Sequence, residues 1–186
     1  MLKKILLAIG VLMIIIVAFL GYLMLTTKNH SPEAVAEHRA GDLHIQVNYC
    51  QPYKKDRLIF GTKSEGALVP FGEKWRTGAN EATEISFSKD VTIGGQTLPA
   101  GRYSLYTIPE ASKWTVVFNS KLDYWGAEIG GDPFDETLDV LRVPASVQTG
   151  MPEKEQFTIS FDEAGDGVNL HFEWDDTRAT LTVGKD

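Results

Sequence analysis

Arg76, Asn80 and Glu81 stand close together in Trp75-Arg76-Thr77-Gly78-Ala79-Asn80-Glu81-Ala82-Thr83, the densest block of polar chemistry in the sequence. Arg76 offers a planar fork of donors, Glu81 accepts, and Asn80 does both, so the three are predicted to converge on a polar ligand such as a sugar or a carboxylate. The block also has a purely architectural use, with Arg76 paired to an internal carboxylate, Gly78 in a left-handed turn, Asn80 closing an Asx turn and Trp75 in the core. Tyr53, Tyr124 and Trp125 fall in predicted loops, where a ring face can stack on a sugar; the competing role for Trp125 is a lid over the open edge of the core. Arg76, Asn80, Glu81, Trp125 and Tyr53 are therefore the ligand-binding candidates. A catalytic use of the same block makes Glu81 a general base and Arg76 the stabiliser of a developing anion in a hydrolase or isomerase. In a third reading the block only fixes the fold of a structural envelope module without a ligand.

Other chemistries find no pattern. His44 and His171 lie on predicted strands facing solvent, and no His-x-His or Cys-x-x-Cys spacing supplies the three converging ligands that zinc or iron requires, so no metal and no cofactor is expected. Asp162, Asp166, Gly167 and Glu173 mimic parts of a calcium loop, but Ala164 stands where a ligand is needed and the flanks alternate as strands do, which makes the segment a hairpin turn. Gly61 to Gly66 lacks the Lys-Ser/Thr end of a phosphate loop, and no Gly-x-Ser-x-Gly elbow occurs. Cys50 is the single cysteine, too far from the apolar N-terminal segment to take a lipid there and about 20 Å along its own strand from His44, so it reads as a small buried thiol. Paired carboxylates for glycoside hydrolysis cannot be nominated from 25 acidic residues.

The elements that must position these residues begin with a membrane segment. Ile5 to Leu25 is free of charge, and as a helix it spans about 31 Å, the thickness of a bilayer core. Lys3 and Lys4 precede it, which keeps the short N-terminus in the cytoplasm and sends the remainder outward. The expectation is an inner-membrane, single-pass anchor at 1–27, with the C-terminal domain in the periplasm. Secretion after cleavage of a long signal is the alternative, although the nearest small-residue pattern, Ala34-Val35-Ala36, lies well beyond Leu25. Ser31-Pro32-Glu33 resembles a helix N-terminus and Gly41 a stop, so 28–40 is predicted as a short helical linker. Beyond position 26, 25 acidic residues face 16 basic ones and no basic stripe runs through any segment, which argues against a nucleic-acid partner. The expected partners are the membrane, through 5–25, and a small-molecule, glycan or protein ligand.

From residue 41 the pattern has a period of two. Leu43, Ile45, Val47 and Tyr49 alternate with polar neighbours, and the alternation returns near Ile85, Tyr103, Trp114, Phe157, Val168 and Leu181. Ile93-Gly94-Gly95-Gln96 is a two-residue hairpin signal, because both glycines accept positive φ. Residues 41–186 are therefore predicted as one all-β domain, an antiparallel β-sandwich (jelly-roll or Ig-like) of about 8–10 strands, chosen over a closed barrel. Ser120 to Thr137, containing Tyr124-Trp125-Gly126 and Gly130-Gly131-Asp132-Pro133, is long for a loop in such a domain and is a candidate functional segment.

The Trp75–Thr83 block, with Tyr49–Pro52, Ile59–Gly61, Leu68–Gly72, Ile93–Pro109, Trp114–Asn119, Trp125-Gly126 and Asp139–Val143, resembles a bacterial family of exported domains of unknown function. Members often carry Trp-Arg-Thr-Gly-Ala-Asn-Glu-Ala-Thr, and the resemblance covers about residues 41–186. It implies no activity, cofactor or catalytic residue. Members usually have Ser where this chain has Cys50, which argues against a family nucleophile at that position.

Overall fold

The computed structural model describes residues 2–126 and 133–185, so Gly130-Gly131-Asp132 of the long loop lie outside the described residues. The charge-free run becomes part of one helix, α1 (Leu2–His30), whose apolar side chains such as Leu7, Ile14 and Val17 are exposed. Its length, about 43 Å at 1.5 Å per residue, and its composition are sufficient to cross a bilayer.

The strands are β1 (Glu33–Ala40), β2 (Leu43–Cys50), β3 (Phe60–Gly61), β4 (Val69–Pro70), β5 (Thr83–Phe87), β6 (Val91–Ile93), β7 (Gln96–Leu98), β8 (Gly101–Pro109), β9 (Lys113–Asn119), β10 (Asp139–Gln148), β11 (Lys154–Ala164), β12 (Gly167–Asp175) and β13 (Thr177–Lys185). One antiparallel sheet runs β1-β2-β5-β8-β9-β10-β13-β12-β11, with the β6–β7 hairpin added on β13; β3 and β4 form a small parallel pair. The all-β antiparallel fold behind an N-terminal helix is thus the architecture, and its main sheet is one continuous hydrogen-bonded path. The sheet bends until it nearly closes, with His38 of β1 against Phe161 of β11 at 5.8 Å between ring centroids and 3.5 Å from Glu163. Near-closure limits the exposed edge of such a sheet.

The period-two residues point inward. Leu43, Ile45, Val47 and Tyr49 are all buried, as are Trp114, Val116 and Phe118 and, across the core, Phe157, Ile159, Leu170, Phe172 and Trp174. Trp75, Trp114, Trp174, Phe60 and Phe157 form an aromatic cluster, Trp75 stacking on Trp174 at 5.9 Å and meeting Phe157 edge-on at 5.0 Å. Gly94 and Gly95 take the positive φ that the β6–β7 hairpin demands.

The predicted helical linker is corrected. The helix continues to His30, and Glu33–Ala40 is a strand paired with β2 over its full length, from Glu33 opposite Cys50 to Ala40 opposite Leu43. Its period is two, with Ala34 and Ala36 packed on the core and Glu33, Val35 and Glu37 outward. Ser31-Pro32 carries helix-start residue types, but the edge of β2 offers eight residues of backbone partners that a free helical spacer would forgo.

Gly78, within the polar block, combines an unusual backbone angle with close neighbours. Its φ is +154°, and a Cβ there would lie 2.9 Å from the Cys50 carbonyl oxygen and 3.0 Å from Thr83 Oγ1. We expect Gly78→Ala to cost about 1–3 kcal/mol, seen as a fall of several degrees in the melting temperature. An unchanged melting temperature would contradict this packing.

Candidate functional site

The Trp75–Thr83 block is a turn held at both ends. Trp75 exchanges two backbone hydrogen bonds of 2.8 Å with Thr107 of β8, and its indole Nε1 donates to the Gly78 carbonyl at 3.2 Å. Thr77 and Asn80 adopt φ of +53° and +58°, left-handed backbone that asparagine tolerates well and threonine poorly. Local bonds hold it there: Thr83 Oγ1 donates to the Thr77 carbonyl at 2.8 Å, and Thr77 Oγ1 lies 3.1 Å from Thr107 Oγ1. Asn80 Nδ2 donates to the Ser31 carbonyl at 3.2 Å, joining the turn to the end of α1. The Asn80 carbonyl accepts from Arg76 Nη1 at 3.1 Å and from the Gly126 N–H at 3.0 Å, and the Ala82 N–H donates to the Tyr124 carbonyl at 3.1 Å. A Cβ at Gly126 would lie 2.6 Å from Arg76 Cδ, so glycine there is what lets the Tyr124–Gly126 segment lie on the turn.

The two reversals send neighbouring side chains in different directions. Glu81 and Trp125 share a groove of about 650 Å³ over β1, β2 and β5, with Tyr49, Tyr124, Glu84 and Asp123 among its walls. Arg76 and Asn80 line a second cavity of about 390 Å³ whose lining includes none of these residues. Tyr53 lines neither; it is half-buried, its backbone bridges Gln156, and its carbonyl accepts from Arg57 Nη2. The expected convergence of Arg76, Asn80 and Glu81 is therefore not formed, because the left-handed Asn80 turns the chain between them, and a Glu81-base, Arg76-anion catalytic pair loses its geometry.

Charge in the groove is arranged as ion pairs. Lys28 at the end of α1 bridges Glu33 and Glu81, the latter at 3.1 Å, and Arg102 bridges Glu84 at 2.7 Å and Asp123 at 2.6 Å. Burial opposes ionisation of Glu81, but hydrogen bonds from its own backbone N–H, Lys28 and Cys50 outweigh it and hold the carboxyl below its ordinary value. Glu81 is thereby a charged acceptor and a weak base. Trp125 is no core lid: it leaves 39% of its surface in solvent, with its backbone bridged to Glu81. Lys121 covers one face of Tyr124 at 4.7 Å, so Trp125 is the more open ring.

Several polar features were not foreseen. His171 was expected in solvent yet is only 6% exposed, its Nδ1 2.9 Å from Thr180 Oγ1 and its Nε2 2.9 Å from Asp162 Oδ2. Thr180 of β13 and Asp162 of β11 flank it on either side, and it lines neither cavity. Asp162 and Asp166 belong to the β11–β12 hairpin, and no group of three or more potential metal-ligating side chains occurs among the described residues. Asp139 gathers Asn119 Nδ2 at 2.7 Å, Tyr106 Oη at 3.0 Å and Arg142 Nε at 2.8 Å at the foot of the long loop.

The fold and its groove define an all-β, nearly closed barrel-like domain behind an apolar helix. The chain belongs to the family described as Protein of unknown function (DUF2911), whose model matches residues 31–183 and so takes in β1. No curated protein and no solved structure matches it.

Cys50 is 3% exposed, with Sγ 3.5 Å from Glu81 Oε2. Burial pushes its thiol up to about 11, opposed by an Asn80 hydrogen bond and reinforced by the Glu81 charge. Because the thiolate is the reactive form, we expect alkylation of the folded chain at neutral pH to be slower than that of the unfolded chain by at least about tenfold, rising only in strong alkali. Equal rates in a timed iodoacetamide assay would refute the buried-thiol assignment.

Proposed function

We propose that this is a membrane-anchored extracytoplasmic binding domain: residues 5–25 cross the inner membrane of a bacterium, the β-domain lies in the periplasm, and the groove beside Trp125 takes a neutral polyhydroxylated ligand of the glycan type. The observation that carries the reading is the pairing of a half-exposed Trp125 with four carboxylates that each already have a cation partner. Paired carboxylates retain lone pairs for hydroxyl donors while their charge is met, which favours a neutral ligand over a cation, and an indole face suits the apolar face of a sugar ring. The groove's volume lies within the range of small-molecule sites. Lys3 and Lys4 ahead of the apolar run support the orientation.

The test is calorimetric titration of the full chain, held in a non-ionic polyoxyethylene detergent, with soluble cell-wall glycan fragments. Saturable binding is expected for the wild type. Trp125→Ala is expected to weaken it at least about tenfold, about 1.4 kcal/mol, while the melting temperature stays within about two degrees, since the ring is no core element. Flat wild-type isotherms across the glycans would overturn the reading.

A further inference from the structure

Most cations of this acidic domain meet a carboxylate: Lys54 meets Glu153 and Asp175, Lys63 meets Glu73, Arg142 meets Glu136 and Asp139, and Arg178 meets Glu173. Three that border the second cavity do not. Arg57 gives Nε to the Lys54 carbonyl at 2.9 Å and Nη2 to the Tyr53 carbonyl, Arg76 gives Nη1 to the Asn80 carbonyl at 3.1 Å, and Lys55 Nζ lies 3.4 Å from His30 Nδ1. Among the described residues none of the three has an acidic side-chain partner. Glu155 accepts the Lys55 backbone N–H at 3.0 Å but does not line the cavity, and among the described residues no Asp or Glu does.

The cavity has a built shape. Its apolar wall includes Trp75 and Trp174, the stacked pair of the core, with Pro52 and Val69, and the cations stand around it. A guanidinium withdrawn from water without a counter-charge is costly, and among the described residues Arg76 gives a single side-chain bond, to Asn80, which leaves much of its donor fork uncommitted there. Burial lowers the Arg76 pKa against opposing contributions from Cys50 and Tyr124. An oxyanion in the cavity supplies the missing charge and takes parallel N–H donors from an arginine fork.

We propose that this cavity is an anion site for a phosphate group, held by Arg57 and Arg76 with Lys55 beside them. Two guanidinium groups and an ammonium match the charge of about −1.5 to −2 on a phosphate monoester better than the single charge of a carboxylate. His30, the last residue of α1, lines the same cavity, so two sources share this chemistry: the headgroup of an anionic lipid and a soluble phosphate compound. Among the described residues the site has no lining residue in common with the Trp125 groove, and it stands independently of the glycan reading.

The test uses the full chain in a non-ionic polyoxyethylene detergent, which brings no phosphate. Inorganic phosphate is titrated at constant ionic strength against chloride, with tryptophan emission and melting temperature as readouts, and phosphatidylglycerol is added in a parallel series. Saturable change with either probe is expected. In Lys55→Gln/Arg57→Gln, whose exposed side chains carry little of the fold, it is expected to weaken at least about tenfold, while Trp125→Ala keeps it. A response to phosphatidylglycerol that inorganic phosphate does not compete away identifies the lipid headgroup, and a response to inorganic phosphate that the lipid leaves unchanged identifies a soluble ligand. Absence of any response in the wild type, or an equal response in the double variant, overturns the proposal.

Discussion

The buried hydrogen bond from Asn80 Nδ2 to the Ser31 carbonyl is where the helix, the first strand and the polar turn meet. Asn80 gives this bond while its backbone sits at positive φ and its carbonyl accepts from both Arg76 and Gly126. One residue thereby orients the end of α1, seats the Tyr124–Gly126 segment and separates Arg76 from Glu81. A left-handed residue is cheap when its backbone and side chain are all engaged, and asparagine is the side chain suited to that conformation. The adjoining reversal at Thr77 is less favourable intrinsically and depends on Trp75, Thr83 and Thr107 around it.

The consequence is a division of charge across a short stretch of chain. On one side, carboxylates from β1, the turn, β5 and the long loop are matched by Lys28 and Arg102; on the other, Lys55, Arg57 and Arg76 surround a wall of tryptophan rings. Arg76 and Glu81, five positions apart in one motif, stand on opposite sides of this division. Backbone bonds at Trp75, Asn80 and Ala82 hold the motif together with side-chain bonds from Trp75, Arg76, Thr77, Asn80 and Thr83, so the residues that shape the turn also set where Arg76 and Glu81 stand.

Strand alternation was legible wherever apolar residues recur every second position, as in Leu43 to Tyr49 and Phe157 to Phe161, because burial on one face of a sheet writes itself into the chain. The Gly94-Gly95 hairpin was legible because its turn demands unusual backbone. β1 was not, since Ala34 and Ala36 give a weak hydrophobic signal and its assignment rests on pairing with β2, which is information held by another segment. Side-chain identities nominated Arg76, Asn80, Glu81 and Trp125, yet their distribution over two cavities follows from the signs of two φ angles and from where Gly126 lands. His171 shows the same limit in reverse: its polar type and outward position say solvent, while neighbouring strands supply both Asp162 and Thr180.

Only Ser31 and Pro32 separate the last helical residue from β1. Two residues extend at most about 7 Å, and one of them is proline, whose φ is fixed. The domain accordingly has almost no tether. With α1 in a bilayer, the barrel rides at a set height just above the lipid surface and sweeps laterally with it, so its radius of capture is the width of the domain itself. So anchored, it would meet only what reaches the membrane plane.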